Sequence, residues 1–189
     1  MGKARDRWLT GGVEVLAAEG ASGVRIDRIA ARLGLSKGSF HHHFDGAEGF
    51  KRELLTHIED LLIGELHGAV AEPGVESARD TLVHLISVVT NPQDGVYRPE
   101  LEVALRAWAL TDPVAAETQA RIDAARLDLL REVWRSISDD EDDVRISALL
   151  PYVIAVGAMV IRPPVDTTDL RRLYERILPL VPADDVAQA

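Results

Sequence analysis

The sequence predicts an all-α protein of about nine helices. Hydrophobic residues make up 47% of the 189 residues but aromatic residues only 5%, a balance typical of helices rich in alanine and leucine. Apolar residues recur at spacings of three and four along most of the chain, and no stretch shows the alternation of a strand. The chain contains no cysteine, which excludes a disulfide framework and a thiolate metal site.

The segment 25–44, RIDRIAARLGLSKGSFHHHF, predicts two helices joined by a sharp turn. Gly34 favours the left-handed backbone that such a turn requires, and Ser36 is a good N-cap for the helix that follows. The apolar residues of the first helix fall on one face and are Ile26, Ile29, Ala30 and Leu33. This arrangement is the helix-turn-helix pattern.

The second helix of this pattern is expected to run from Lys37 to Phe44, with Phe40 and Phe44 inward. Small and hydrogen-bonding residues then remain outside at its beginning, where a helix in the major groove meets bases and phosphates. We therefore predict double-stranded DNA as the partner. The predicted DNA-binding residues are Arg25, Ser36, Lys37, Gly38, Ser39, His41 and His42. The alternative is an αα-corner without a nucleic-acid partner.

Charge is distributed unevenly. The chain carries a net charge of −10, yet residues 1–52 hold nine basic and six acidic residues. Residues 53–189 hold twelve basic and twenty-five acidic residues. This asymmetry favours a mildly basic head, residues 1–52, that approaches phosphate, and an acidic body, residues 53–189, that does not.

The order of these features resembles the TetR family of transcriptional regulators. The first helix ends in Ala18-Glu19-Gly20, then IAARLGLSKGSFHHHF, an acidic turn and a long helix from Ala47 follow, so about the first third of the chain is covered. The chain departs from the family at three places. It lacks the usual Ser or Thr cap near Val24-Arg25, and it has His41 and Ala47 where the family usually has Tyr and Lys.

The resemblance implies a three-helix DNA-binding domain at 1–46 and a helical ligand-binding and dimerisation domain at 47–182. The tail at 183–189 is expected to be disordered. The apolar spacing predicts further helices at 3–19, 47–71, 75–90, 100–110, 113–137, 144–160 and 168–181. The acidic run DDEDD before residue 144 indicates a solvated loop and helix start.

Two sets of residues are predicted to serve the second domain. In the resembling family, the fourth to eighth helices surround an effector cavity, and the candidates here are His57, Leu61, Leu82, Ile86, Trp108, Tyr152 and Met159. A side chain of each of these types is more often plain core. The apolar faces of the last two helices exceed what one small core needs, so we predict a homodimer interface of Leu149, Val153, Val156, Val160, Leu173 and Ile177.

Other function classes find little support. Three consecutive histidines, His41 to His43, point about 100° apart on a helix and cannot share one metal ion. No catalytic motif is present, and we expect neither an enzyme nor a cofactor. The sequence lacks a signal peptide and an apolar run of membrane-spanning length, which favours the cytoplasm. We therefore expect a ligand-responsive regulator, a repressor that binds a palindromic operator as a homodimer and is released by a small, fairly apolar effector. The alternative is a helical sensor or interaction protein that has lost DNA affinity.

Overall fold

The computed structural model describes residues 2–70, 77–91 and 98–181. Within these ranges the chain forms nine α-helices and no strand, so the all-α prediction is confirmed. The helices are α1 (Gly2–Glu19), α2 (Ile26–Leu33), α3 (Lys37–His41), α4 (Gly46–Val70), α5 (Ala78–Thr90), α6 (Pro99–Ala109), α7 (Pro113–Arg135), α8 (Glu141–Val160) and α9 (Thr167–Ile177). Short 3-10 turns cover Ala21–Gly23 and Leu178–Leu180.

Several helices end earlier than the sequence predicts. α3 stops at His41 rather than at Phe44, and α9 stops at Ile177 and passes into a 3-10 turn. α7 ends at Arg135. The last turn of a helix often tightens into a 3-10 turn or frays, because side-chain packing and not the apolar spacing decides where the helix ends. This explains the differences. The predicted helix start at residue 75 and the tail at 183–189 lie outside the described residues.

The acidic run after α7 is more helical than predicted. Asp140 is the N-cap of α8, and its Oδ1 accepts hydrogen bonds from the backbone N–H groups of Asp142 at 2.9 Å and Asp143 at 3.3 Å. Glu141, Asp142 and Asp143 therefore form the first turn of the helix. Negative side chains are favourable there because they face the positive end of the helix dipole.

One compact unit of the chain comprises residues 1–62 and 99–122, called here the first unit. Helix α1 packs against both α2 and α6 in this unit. The largest side chains of its core are completely or almost completely buried and include Trp8, Leu16, Ile29, Phe40, Leu54, Ile58, Leu101, Leu105 and Ile122. The helix-turn-helix segment is thus part of a larger core.

Two adjacent glycines of α1 allow close helix packing. A Cβ atom on Gly11 would lie 2.9 Å from Cδ1 of Leu33 in α2, and one on Gly12 would lie 2.9 Å from Cδ1 of Leu54 in α4. Both distances are too short for real carbon atoms. The pair therefore costs helix propensity but lets two neighbouring helices approach α1, a reason that the sequence alone does not reveal.

Residues 63–98 and 123–189 belong to the second unit. One cluster of its core contains Leu82, Leu130, Trp134, Val144, Ala148 and Val181, and another contains Ala158, Leu170 and Tyr174. Pro151 lies inside α8, and its carbonyl accepts a hydrogen bond from Tyr174 Oη at 3.0 Å. This bond ties α9 to the middle of α8.

Helix α8 has a large apolar surface that the described residues do not cover. By length and composition it is the one described helix that could cross a membrane. Of its most apolar stretch, 22% is buried. Its exposed apolar side chains are Ile146, Leu150, Val153 and Val160. They follow one another at spacings that keep them near one face of the helix, so α8 presents a continuous apolar stripe.

Candidate nucleic-acid interface

The turn between α2 and α3 has the geometry that the sequence predicts. Gly34 adopts the left-handed conformation with φ of 64°, and the backbone N–H of Leu35 donates to the carbonyl of Ala30 at 3.0 Å. Ser36 caps α3, because its Oγ accepts a hydrogen bond from the backbone N–H of Ser39 at 3.3 Å. Turn and cap together fix where α3 begins and in which direction it leaves α2.

An aromatic cluster fixes the buried side of α3. Phe40 is completely buried, and its ring centroid lies 5.2 Å from that of Trp8 and 5.5 Å from that of Phe50. Phe44 follows the end of α3 and lies 4.9 Å from Phe50, so it is inward as predicted although it is not helical. Edge-to-face contacts of this kind hold each ring in one orientation. The face of α3 opposite the cluster is therefore set by packing.

That opposite face carries the residues predicted to contact DNA. Ser36, Gly38, His41 and His42 are exposed and Ser39 is partly exposed, while Lys37 is the first residue of α3. A Cβ on Gly38 would have Ser36 Oγ as its nearest neighbour, at an ordinary 3.7 Å. Packing within the chain therefore does not require a glycine at residue 38. A partner surface that approaches the helix backbone from outside would require one. In the described part of the chain, no group of three metal-ligating side chains could hold an ion.

Most arginines near this face are already paired within the protein. Arg5 contacts Glu53 at 2.5 Å, Arg32 contacts Glu14 at 3.2 Å, and Arg28 pairs with Glu19. Arg7 Nη2 donates to the carbonyl of Leu33 at 3.1 Å, where it satisfies the C-terminal end of α2. The positive charge that the sequence predicts for residues 1–52 is therefore largely neutralised by carboxylates of the first unit. A count of charges in the sequence cannot reveal this pairing.

Arg25 precedes α2 and is bound by a carboxylate two residues away. Its Nε and Nη2 donate to the two oxygens of Asp27, each at 3.2 Å, and 60% of the Arg25 side chain is exposed. Desolvation opposes ionisation of Asp27. The charge and hydrogen bonds of Arg25, with the backbone N–H groups of Asp27 and Arg28, outweigh it and lower the pKa of Asp27. A phosphate would have to replace this carboxylate at Arg25.

An open groove of about 560 Å³ connects α2, α3, α4 and α6 on the first unit. It brings together two predicted DNA contacts, Arg25 and His41, and its wall includes Ala47, where the resembling family usually has a lysine. Val24, Phe50 and Trp108 supply apolar surface. The missing long side chain at residue 47 leaves this groove accessible.

Lys51 lines the same groove and holds a mostly buried ion pair. Its Nζ lies 2.9 Å from Glu48 Oε2 and 2.9 Å from Asp112 Oδ2, with 20% of the Lys51 side chain and 18% of the Asp112 side chain exposed. The hydrogen bonds to Glu48 and Asp112 raise the pKa of Lys51. The hydrogen bond from Lys51, together with the backbone N–H of Ala115, lowers the pKa of Asp112.

Asp112 has a second task in addition to this pair. Its Oδ1 accepts hydrogen bonds from the backbone N–H groups of Val114 at 2.9 Å and Ala115 at 3.1 Å, so it caps the start of α7 before Pro113. One carboxylate therefore joins the start of α7 to α4. The cap was recognisable from the order Thr-Asp-Pro, but the partner 61 residues away was not.

The predicted effector residues are divided between the two units. His57, Leu61 and Trp108 belong to the first unit, and Leu82, Ile86, Tyr152 and Met159 belong to the second. Leu82 and Ile86 line one cavity, and Tyr152 Oη donates to Asp123 at 2.7 Å. The common effector pocket of these seven residues stays a prediction.

The predicted dimer residues differ in exposure. Val153, Val160 and Leu173 are 61%, 52% and 43% exposed, respectively. Leu149 and Val156 are half-buried, and Ile177 packs against the cluster of Leu170 and Tyr174. Sequence reasoning missed Ile146 and Leu150, although their spacing of four, with Val153 three residues later, is a helical stripe.

Comparison with known proteins agrees with this geometry. Residues 9–55 match the family model described as bacterial regulatory proteins of the tetR family. Residues 9–55, which include α2 and α3, are therefore similar to the tetR-family regulatory proteins. No curated protein matches the sequence.

Solved structures of TetR-like proteins match over nearly the whole chain. A regulator from Rhodococcus sp. is 21% identical, with a TM-score of 0.73 and coverage of 97% of this chain and 100% of that one. The reduced form of NemR from E. coli is 18% identical, with a TM-score of 0.80 and coverage of 96% and 100%. A regulator from Saccharomonospora viridis in complex with choline is 17% identical, with a TM-score of 0.76 and coverage of 95% and 97%. At these identities the likeness establishes the fold.

Replacing Asp112 by asparagine tests the pair with Lys51. Asp112→Asn should lower the free energy of unfolding by about 1.5–3 kcal/mol at neutral pH, because a charged hydrogen bond is lost while asparagine keeps the cap oxygen. The folded-state pKa of Asp112 is depressed, so its stabilisation is complete above the unfolded value and is lost as the pH falls through the folded one. Urea unfolding should show a difference that shrinks below about pH 4.

The control for this substitution is Asp142→Asn, which alters an exposed carboxylate paired with Arg145 at 3.1 Å and should change the free energy of unfolding little. A stability difference for Asp112→Asn that stays constant from neutral to acidic pH would contradict the role assigned to the ion pair.

Releasing Arg25 from its carboxylate should strengthen DNA binding. Asp27→Asn removes the charge that competes with phosphate, and we expect the affinity for operator DNA to rise about two- to fivefold at about 0.1 M salt. Fluorescence anisotropy with labelled DNA measures this change. Asp60→Asn, which removes one exposed charge from the same unit in the middle of α4, is the matched control and should have a smaller effect. If wild type and Asp27→Asn bind operator DNA with equal affinity, Arg25 does not contact the DNA.

Proposed function

We propose that this protein is a transcriptional regulator of the TetR type, a repressor that binds a palindromic operator as a homodimer and releases it when a small, fairly apolar effector binds. The observation that carries the DNA-binding surface is the exposed side of α3, where Gly38 and His41 are exposed while Phe40 is buried on the opposite side. The beginning of a helix presented in this way fits the major groove. We place the protein in the cytoplasm, where its operator is, and assign it binding rather than catalysis.

The dimer is supported by apolar surface that the described residues of one chain leave exposed. Five residues of α3 contact too few base pairs for useful specificity, whereas two copies read successive major grooves about 34 Å apart. The stripe Ile146, Leu150, Val153 and Val160 on α8, with Leu173 on α9, is apolar and exposed. Two copies that pair these helices around a two-fold axis would cover it in a four-helix interface.

The effector is supported more generally. In the second unit, the predicted residues Leu82, Ile86 and Tyr152 belong to or pack against clusters of apolar side chains. A similar structure holds choline, which supports the idea that a domain of this fold has room for a small organic molecule. For this chain we propose an uncharged effector, because ions need charged partners when they are buried.

A second candidate function is a helical sensor that no longer binds DNA. The internal pairing of Arg5, Arg28 and Arg32 with carboxylates and the presence of Ala47 favour it, since both reduce the charge available for phosphate. Selection of bound sites from random double-stranded DNA separates the two functions. Recovery of one palindromic site with salt-dependent affinity supports the regulator, and recovery of no sequence supports the sensor.

Enlarging the glycine of α3 tests the proposed DNA surface directly. Gly38→Leu should lower the affinity for the selected operator by more than about tenfold, because the side chain occupies the space of the approaching backbone. Circular dichroism and the unfolding midpoint should stay unchanged, since the space around Gly38 within the chain is open. Gly64→Leu, at an exposed glycine of α4 with nothing within 4 Å, is the control. If Gly38→Leu binds as tightly as wild type, the DNA surface lies elsewhere.

A charge on the apolar stripe should separate the dimer. Val153→Glu places a carboxylate on a side chain that is 61% exposed in one chain, so the fold tolerates it while a dimer would have to bury it. Sedimentation should change from dimer to monomer at micromolar concentration. Val83→Glu, on an exposed valine of α5, should remain dimeric. A wild-type monomer that binds the palindrome tightly would refute this interface.

A further inference from the structure

Helix α1 holds α2 through contacts at three residues of α2. Arg28 pairs with Glu19, and Arg32 Nε lies 3.2 Å from Glu14 Oε2. The third contact is made at Leu33, the last residue of α2. It differs from the two ion pairs because it includes the backbone of the residue at which the helix-turn-helix turn begins.

Leu33 is held by α1 at its side chain and at its carbonyl. Gly11 leaves room for the side chain, since a Cβ atom there would lie 2.9 Å from Leu33 Cδ1. Arg7 lies about one helical turn before Gly11, and its Nη2 donates to the carbonyl of Leu33 at 3.1 Å. One face of α1 therefore fixes the residue that connects α2 to the turn.

The hydrogen bond from Arg7 satisfies a need that every helix has at its C-terminal end. The last four carbonyls of a helix find no donor within it. In α2, the backbone N–H of Gly34 donates to the carbonyls of Ala30 and Ala31. Arg7 supplies a donor for the carbonyl of Leu33, and a positive charge is favourable at this negative end of the helix dipole.

Only Gly34, Leu35 and Ser36 separate this carbonyl from the start of α3, so a displacement of the turn is passed on to α3. We propose that Arg7 is a positioning residue for sequence recognition, which sets where α3 begins by holding the carbonyl of Leu33 and does not itself contact DNA. Base contacts need donors and acceptors at defined places, whereas attraction to phosphate does not depend on sequence. This inference rests on the proposed DNA-binding function.

A direct phosphate contact is the competing role for Arg7, because its side chain is exposed. The loss of such a contact weakens binding to operator and to random DNA equally, and it lowers the salt dependence of binding by about one phosphate. The loss of a positioning residue weakens binding to the operator alone and leaves the salt dependence unchanged. The two roles therefore differ in the ratio of operator affinity to random-DNA affinity.

The test compares Arg7→Met with Lys3→Met. Both substitutions remove one positive charge from an exposed side chain of α1, but only the first removes the donor to Leu33. We expect Arg7→Met to lower the ratio of operator affinity to random-DNA affinity about two- to tenfold, because one hydrogen bond no longer holds the turn. Lys3→Met should leave the ratio unchanged. Fluorescence anisotropy at several salt concentrations measures both affinities and their salt dependence.

A second measurement needs no DNA. Exchange of the backbone N–H groups of Gly34 and Leu35 with solvent, followed by NMR, reports how often the turn opens. The N–H of Leu35 donates to the carbonyl of Ala30 at 3.0 Å in the closed turn. Arg7→Met should raise both exchange rates about two- to tenfold, and Lys3→Met should not change them.

Three outcomes would overturn the proposal. They are exchange rates in Arg7→Met equal to those in Lys3→Met, an unchanged affinity ratio, and an equal loss of affinity for both DNAs with a reduced salt dependence. If wild type selects no operator, the proposed regulator is contradicted instead. The exchange rates are measured without DNA, so they still decide whether Arg7 holds the turn.

Discussion

Helix α3 has only five residues, too few to be stable in water, and its existence depends on the burial of Phe40. The rings of Trp8, Phe44 and Phe50 surround Phe40 and come from α1, the turn after α3, and α4. Each ring therefore connects the DNA-binding helix to a different part of the first unit. The orientation of the exposed residues of α3 is a property of this aromatic cluster.

The parts of this arrangement that the sequence predicts are local. The left-handed conformation at Gly34, the cap at Ser36 and the burial of Phe40 and Phe44 depend on residues close in the chain, and their spacing reveals them. The order of nine helices follows for the same reason. Side-chain contacts across a few residues decide these features, so a single sequence contains enough information.

The parts that the sequence does not predict depend on partners far apart in the chain. Lys51 and Asp112 are 61 residues apart, and Arg5 and Glu53 are 48 apart. Gly11 and Gly12 lower the helix propensity of α1, and only the packing of Leu33 and Leu54 against them explains why glycine stands there. Such pairs are fixed only when helices pack. An effector pocket depends on the same information, so its residues stay a prediction.

The internal ion pairs of the head change how such a regulator searches a genome. Every binding event first meets DNA of random sequence, and free arginines bind such DNA through its phosphates alone. Arg5, Arg28 and Arg32 are occupied by carboxylates, so they add little to this indiscriminate attraction. In the proposed regulator, the protein would then spend less time on random sites, and contacts made by α3 would account for a larger share of its affinity. A head that neutralises its own charge thereby gains selectivity at the expense of raw affinity.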